Sequence, residues 1–168
     1  MKSAKKNDAR YSYVSSIQSI AKMDMKNIAL GFGLRFQPIL KISCMHTGLN
    51  FFTKQGRVLV YAITDGVVKV PVSDGDSAKV VCINHQNGYM TSHTHLQAYK
   101  VEMGQKIKQG EVIDYIWNTD LSTGLHLHYE VVKKGEKIDI LGYFYDNLNL
   151  DGYKKMVAIA EKMTRSLD

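Results

Sequence analysis

Hydrophobic and polar positions along the chain alternate in short runs, the two-residue period of half-buried strands. Residues 57–70 alternate around Asp65-Gly66, a turn signal that predicts a hairpin or a bend. Strands are predicted over 79–84 and 89–97, joined by a hairpin turn at Asn87-Gly88. Residues 111–117 and 125–133 alternate again, with a polar loop over 118–124 between them and a turn at Gly135-Glu136. Residues 71–76 read as loop. Residues 101–110 carry Gly104 and Gly110, six apart.

Two stretches predict helices rather than strands. Residues 23–30 predict a short helix stopped by Gly31-Phe32-Gly33. Residues 151–167 place Tyr153, Met156, Val157, Ala160, Met163 and Leu167 on one helical face, with Asp151 as its cap. Many short strands, frequent glycine turns and a terminal helix predict a mainly β, antiparallel domain with short peripheral helices. The expected layout is a lead-in tail over 1–27, a domain over 28–145 and a C-terminal helix within 146–168 packed on it.

Composition narrows this picture. The 168 residues suffice for one domain with a real core, and 45% apolar content is ordinary for a globular chain. No apolar run approaches the roughly 18 residues of a membrane span. MKSAKKNDAR is followed by YSYVSSIQS rather than by an apolar export core, so no signal peptide is expected. The formal charge of +6 favours anionic partners in general. The lysines are scattered without an aromatic-interleaved basic stripe, so nucleic-acid binding is not expected. Cys44 and Cys82 lack CxxC spacing and read as free thiols. A monomer is expected.

The chemistry lies in six histidines: His46, His85, His93, His95, His126 and His128. Four form two H-x-H pairs on predicted strands, so each pair is expected on one face. His46 opens an H-x-x-x-N arrangement with Asn50, and Gly48 lets the chain turn between the two. Several imidazoles brought together need partners, and a zinc ion supplies one. Zinc takes imidazole nitrogen and carboxylate oxygen in a tetrahedral shell and leaves a catalytic position to water. Neither HExxH nor paired CxxC spacing is present, which excludes zincin and zinc-finger arrangements.

The ordered landmarks GFGLRFQP (31–38), MHTGLNF (45–51), VYAITDGVV (60–68), VVCINHQNGYMTSHTHL (80–96), VEMGQKIKQGEVI (101–113) and STGLHLHYEV (122–131) carry a resemblance. From about residue 28 to 145 the chain resembles the lysostaphin-type (LytM-type) zinc peptidases, which cut peptide stems or bridges of bacterial peptidoglycan. The resemblance implies a groove across an antiparallel sheet, one zinc ion held by His46, Asn50 and His128, and His95 and His126 assisting the attacking water and the oxyanion. It implies peptidoglycan peptides as substrate and the cell envelope as location. It leaves His85 structural.

Departures from the family pattern cluster near that site. Asn50 stands where the family has aspartate, which removes a negative charge from the expected shell. Leu125 replaces a proline before H-x-H, His93 an aromatic residue, Asn118-Thr119-Asp120 a more glycine-rich loop, and Ile140 a proline after Asp139. These changes open a second reading, a degenerate domain that binds cell wall or regulates another wall hydrolase. His93, on the same predicted face as His95, and Cys44, two residues before His46, are further candidate ligands. Arg35 is a candidate for a substrate carboxylate or for an internal ion pair. Glu130 is expected to be solvent-exposed, with a hydrogen bond to a ligand histidine as its alternative role.

Overall fold

The computed structural model describes residues 28–37, 41–53, 57–69, 79–96, 100–116 and 125–140. The tail over 1–27, the helix expected over 151–167 and the loops over 71–76 and 118–120 lie outside them.

The long strand β11 (Leu125–Lys133) organises the sheet, and it has the bounds the alternation predicts. Leu127, Tyr129 and Val131 are buried on one face, while His126, His128 and Glu130 occupy the other. On one side β11 pairs antiparallel with β4 (Leu49–Thr53) and β12 (Glu136–Ile138). On its other side it pairs with β8 (Tyr89–Leu96). Beyond β4 lies β1 (Ile28–Leu30); beyond β8 come β7 (Lys79–Asn84), β6 (Gly66–Lys69) and β9 (Lys106–Ile107). Strand β10 (Val112–Ile116) pairs with β5 (Val58–Tyr61) and touches the end of β8. A separate two-stranded hairpin, β2 (Gly33–Gln37) and β3 (Ile42–His46), leads into the sheet.

The core takes one face of these strands. Leu49, Phe51, Val60, Val81, Ile83, Ile113, Ile116, Leu127 and Tyr129 all lie in it. Fully burying a side chain of this size stabilises the fold by about 1.5–3 kcal/mol, so the core fixes the register. The other face of β4 and β11 is thereby free for polar side chains.

Two local expectations change, and one pair of alternatives is resolved. Residues 28–30 are strand rather than the end of a helix, because Ile28 and Leu30 pair with Phe51 and Asn50. Asp65-Gly66 is a bend: β5 pairs with β10, while β6 pairs with β7 and β9. The β7–β8 hairpin is real, but its turn is a short 3-10 segment, Gln86–Gly88, closed by the His85 amide donating to the Tyr89 carbonyl at 2.8 Å. Gly88 takes φ +77° there, which suits a glycine.

Candidate functional site

Directly opposite residues on β4 and β11 build the site: Asn50 faces His128 and Phe52 faces His126. Side chains opposite each other on one face of an antiparallel pair are close neighbours, so register alone brings these four together. His46 comes from the end of β3, and the turn Thr47-Gly48 folds it back over Asn50. Gly48 lies against β11; a Cβ there would stand 2.5 Å from the Tyr129 carbonyl oxygen and 2.9 Å from His128 Cε1. No larger residue allows that approach.

Each imidazole of the pair is oriented by a second hydrogen bond. His46 Nδ1 donates to the Gly31 carbonyl at 2.7 Å, which leaves its lone pair on Nε2, 3.2 Å from Asn50 Oδ1. His128 Nε2 donates to Glu130 Oε1 at 3.2 Å, which leaves its lone pair on Nδ1, 2.7 Å from the same oxygen. The rings of His46 and His128 meet edge to face with centroids 5.0 Å apart. Two ring nitrogens thus stand within 3.2 Å of one amide oxygen, and the three acceptor atoms together make a donor set that suits a divalent cation.

Glu130 is buried rather than solvent-exposed. It accepts hydrogen bonds from Thr47 Oγ1 and from Lys137 Nζ at 2.8 Å as well as from His128. Burial alone would raise its carboxyl, but the bonds from His128, Lys137 and Thr47, with the Lys137 charge, bring it down to about 2. It is ionised at neutral pH and fixes the His128 tautomer.

His95 reaches this face by an irregularity. On β8, Thr94 pairs with Val80 and Leu96 with Lys79, so His95 is an extra residue in the strand, a bulge with φ +68°. A non-glycine residue in that region costs about 1–2 kcal/mol, a strain that concentrates at functional sites. The bulge turns the His95 ring toward His126, with centroids 4.3 Å apart. Burial, and then the proximity of His126 and His128, hold His95 down at about 4, so it is neutral at pH 7. Phe52 stacks on His126 at 5.3 Å with the planes 19° apart.

His93 does not share that face. It is fully buried beside Tyr129, its direct partner across the strands, with ring centroids 5.1 Å apart. Its Nδ1 donates to the Val81 carbonyl at 3.3 Å. The bulge after Thr94 breaks the alternation that would have put His93 and His95 together. His85 is structural: Nδ1 donates to the Asp65 carbonyl at 2.8 Å and Nε2 accepts from Thr91 Oγ1 at 2.9 Å.

The family model for Peptidase family M23 matches residues 44–140. The chain belongs to that family. It is 38% identical over 112 residues to the DD-carboxypeptidase/endopeptidase Mpg of Neisseria meningitidis serogroup B, an alignment that takes in 67% of this chain and 26% of that protein. It is 36% identical over 107 residues to the peptidoglycan DD-endopeptidase ShyA of Vibrio cholerae, covering 64% of this chain and 25% of that one. The chain thus spans about a quarter of the length of these relatives. The crystal structure of a zinc-containing peptidase from Vibrio cholerae superposes with a TM-score of 0.62 at 31% identity, over 73% of this chain and 37% of that chain. The LytM-type resemblance and the antiparallel β fold expected from the sequence hold.

Within the M23 domain, all five site residues expected from the sequence gather on one face of β4, β8 and β11, or at the end of β3. Cys44 does not join them. It is an exposed free thiol, and among the described residues no three His, Cys, Asp or Glu side chains cluster as a metal site. The third member of the cluster is an amide. The side chain of Arg35 lies outside the described residues. Phe52, Thr47 and Lys137 are the site residues that sequence reasoning missed. Only Phe52 carried a signal: it stands two residues from Asn50 in an alternating strand, hence on the same face.

Proposed function

We propose that this M23 domain is a zinc-dependent endopeptidase acting on the peptide stems or cross-links of bacterial peptidoglycan. The observation that carries the reading is the convergence of the His46 and His128 lone pairs on Asn50 Oδ1, with His95 and His126 alongside. Relatives named as DD-endopeptidases and a zinc-containing structural neighbour support it.

In this reading His46 Nε2, Asn50 Oδ1 and His128 Nδ1 would hold the ion. Zinc supplies Lewis acidity, which makes water a nucleophile near neutral pH. Gly31 and Glu130 keep both histidines in the tautomer that presents a lone pair to the metal. His95, neutral at pH 7, accepts a proton from the attacking water. His126, braced by Phe52, donates to the oxygen of the scissile carbonyl as charge develops there. The substrate places the chain's work in the cell envelope. No helix among the described residues is long and apolar enough to cross a membrane.

Asn50 favours a second reading, a domain that keeps the fold and the wall contact but not turnover. The amide brings no negative charge, so zinc is held less firmly than by a carboxylate. Metal analysis and peptidoglycan digestion separate the two. Zinc uptake and digestion by the parent, both lost in His128→Ala, establish the enzyme. Activity found only in Asn50→Asp establishes degeneracy. No metal in either variant removes the site assignment.

A further inference from the structure

The end of the Asn50 side chain raises a question of hydrogen count. With Nδ1 of His46 committed to the Gly31 carbonyl and Nε2 of His128 to Glu130, the two remaining ring nitrogens are acceptors. Both aim at one terminal atom of Asn50, from 3.2 and 2.7 Å. An oxygen at that point makes three acceptors meet with no hydrogen among them, an arrangement that needs a cation. The other end of the amide is an NH2 group of nearly the same size with two hydrogens, and its neighbours decide which end faces inward.

We propose that in the metal-free protein Asn50 turns its amide about the Cβ–Cγ bond, so that Nδ2 donates one hydrogen to His46 Nε2 and the other to His128 Nδ1. Every polar group in the line then has its match. His46 donates to the Gly31 carbonyl, Asn50 donates to both histidines, and His128 donates to Glu130, which Lys137 and Thr47 hold from behind. Aspartate cannot play this part, because an ionised carboxylate has no hydrogen to give. Asn50 therefore gives the site two satisfied arrangements, one stapled by the amide and one closed around a metal, exchanged by a half-turn of one side chain. It is a positioning residue in the first and a ligand in the second. The second arrangement rests on the metal site proposed above; the first does not.

The full chain, 15N-labelled and stripped of metal with chelator, is examined by NMR at pH 8. The expected result is a pair of Asn50 side-chain amide protons protected from exchange and absent from Asn50→Asp. It includes His46 protonated at Nδ1 and His128 at Nε2. Added zinc ion abolishes the protection. In parallel, the melting midpoint of metal-free Asn50→Asp at pH 8 lies about 5 °C or more below that of the metal-free parent, because only the variant leaves acceptors facing one another with no hydrogen between them. Asn50 amide protons that exchange like those of a surface asparagine in the metal-free chain overturn the proposal. So does a metal-free parent no more stable than metal-free Asn50→Asp. Protected protons in a parent that takes up no zinc uphold the staple and remove the metallopeptidase reading. Unprotected protons in a parent that binds zinc do the reverse.

Discussion

Glu130 reaches back along its own strand to His128, its Oε1 3.2 Å from the imidazole Nε2, while Lys137 grips the same oxygen at 2.8 Å. Removing the carboxylate frees the ring to rotate and to shift its proton to the other nitrogen. Glu130→Ala is expected to weaken zinc binding about 10- to 100-fold, read by competition with a coloured chelator. An unchanged affinity means that another group orients His128.

His95 is assigned proton transfer and no share in holding the ion. His95→Ala is therefore expected to keep its zinc content while peptidoglycan digestion falls by about 100-fold or more. Loss of zinc in that variant transfers His95 to the ligand set.

Gly48→Ala tests the close passage of the β3–β4 turn over β11. The added methyl meets the Tyr129 carbonyl oxygen at 2.5 Å, with Glu130 Cγ and His128 Cε1 each at 2.9 Å, so strand backbone and two hydrogen-bonded side chains must shift to admit it. A loss of about 1–3 kcal/mol in urea unfolding is expected, together with weaker metal uptake as His46 moves away from His128. A fully stable variant contradicts the packing described.

Stability falls with acid in two stages. Burial holds His93 and His95 down at about 4, against an ordinary value of 6.5. Between those pH values the unfolded chain binds protons that the folded chain refuses, so their contribution is full above pH 6.5 and is lost as the pH drops toward 4. Glu130 adds a second loss between its ordinary 4.5 and about 2, as its carboxylate is protonated. Denaturation midpoints of metal-free protein against pH show both stages. His93→Leu flattens the first, and an unaltered slope shows that His93 does not titrate there.

Tyr129 and His93 carry a small internal cost. The Tyr129 hydroxyl and His93 Nε2 are buried, and among the described residues neither finds a hydrogen-bond partner. Tyr129→Phe deletes an unpaired polar group without changing shape. It is expected to be neutral or to stabilise by up to about 1 kcal/mol in urea unfolding. A loss above that range shows that the hydroxyl has a partner in solution.

Where one face of a strand is buried, the amino-acid pattern was enough. The bounds of β11 and β7, and the sharing of a face by His126 and His128, follow from alternation alone. The β7–β8 hairpin was visible in Asn87-Gly88. The failures arose where distant chain decides. Residues 28–30 suit a helix locally, but pairing with β4 satisfies their backbone as strand. His95 could not be separated from His93 because a bulge leaves no mark in a two-residue period. Glu130 read as a surface acid because Thr47, 83 positions away, and the seven-residue offset of Lys137 across a hairpin are not local signals. The resemblance supplied which histidines belong together; the tautomers, and with them the question of the Asn50 amide, came only from the three-dimensional contacts.

The two-sided character of β11 also bears on how the chain reaches its native pairing. Sliding this strand by a single residue against β4 or β8 would drive His126, His128 and Glu130 into the hydrocarbon interior and expel Leu127, Tyr129 and Val131 into water. Near-native misalignments are therefore penalised at six positions at once. The residues proposed for chemistry double as proofreaders of assembly, and replacing both histidines by apolar residues would remove not only the site but part of the bias against out-of-register folding.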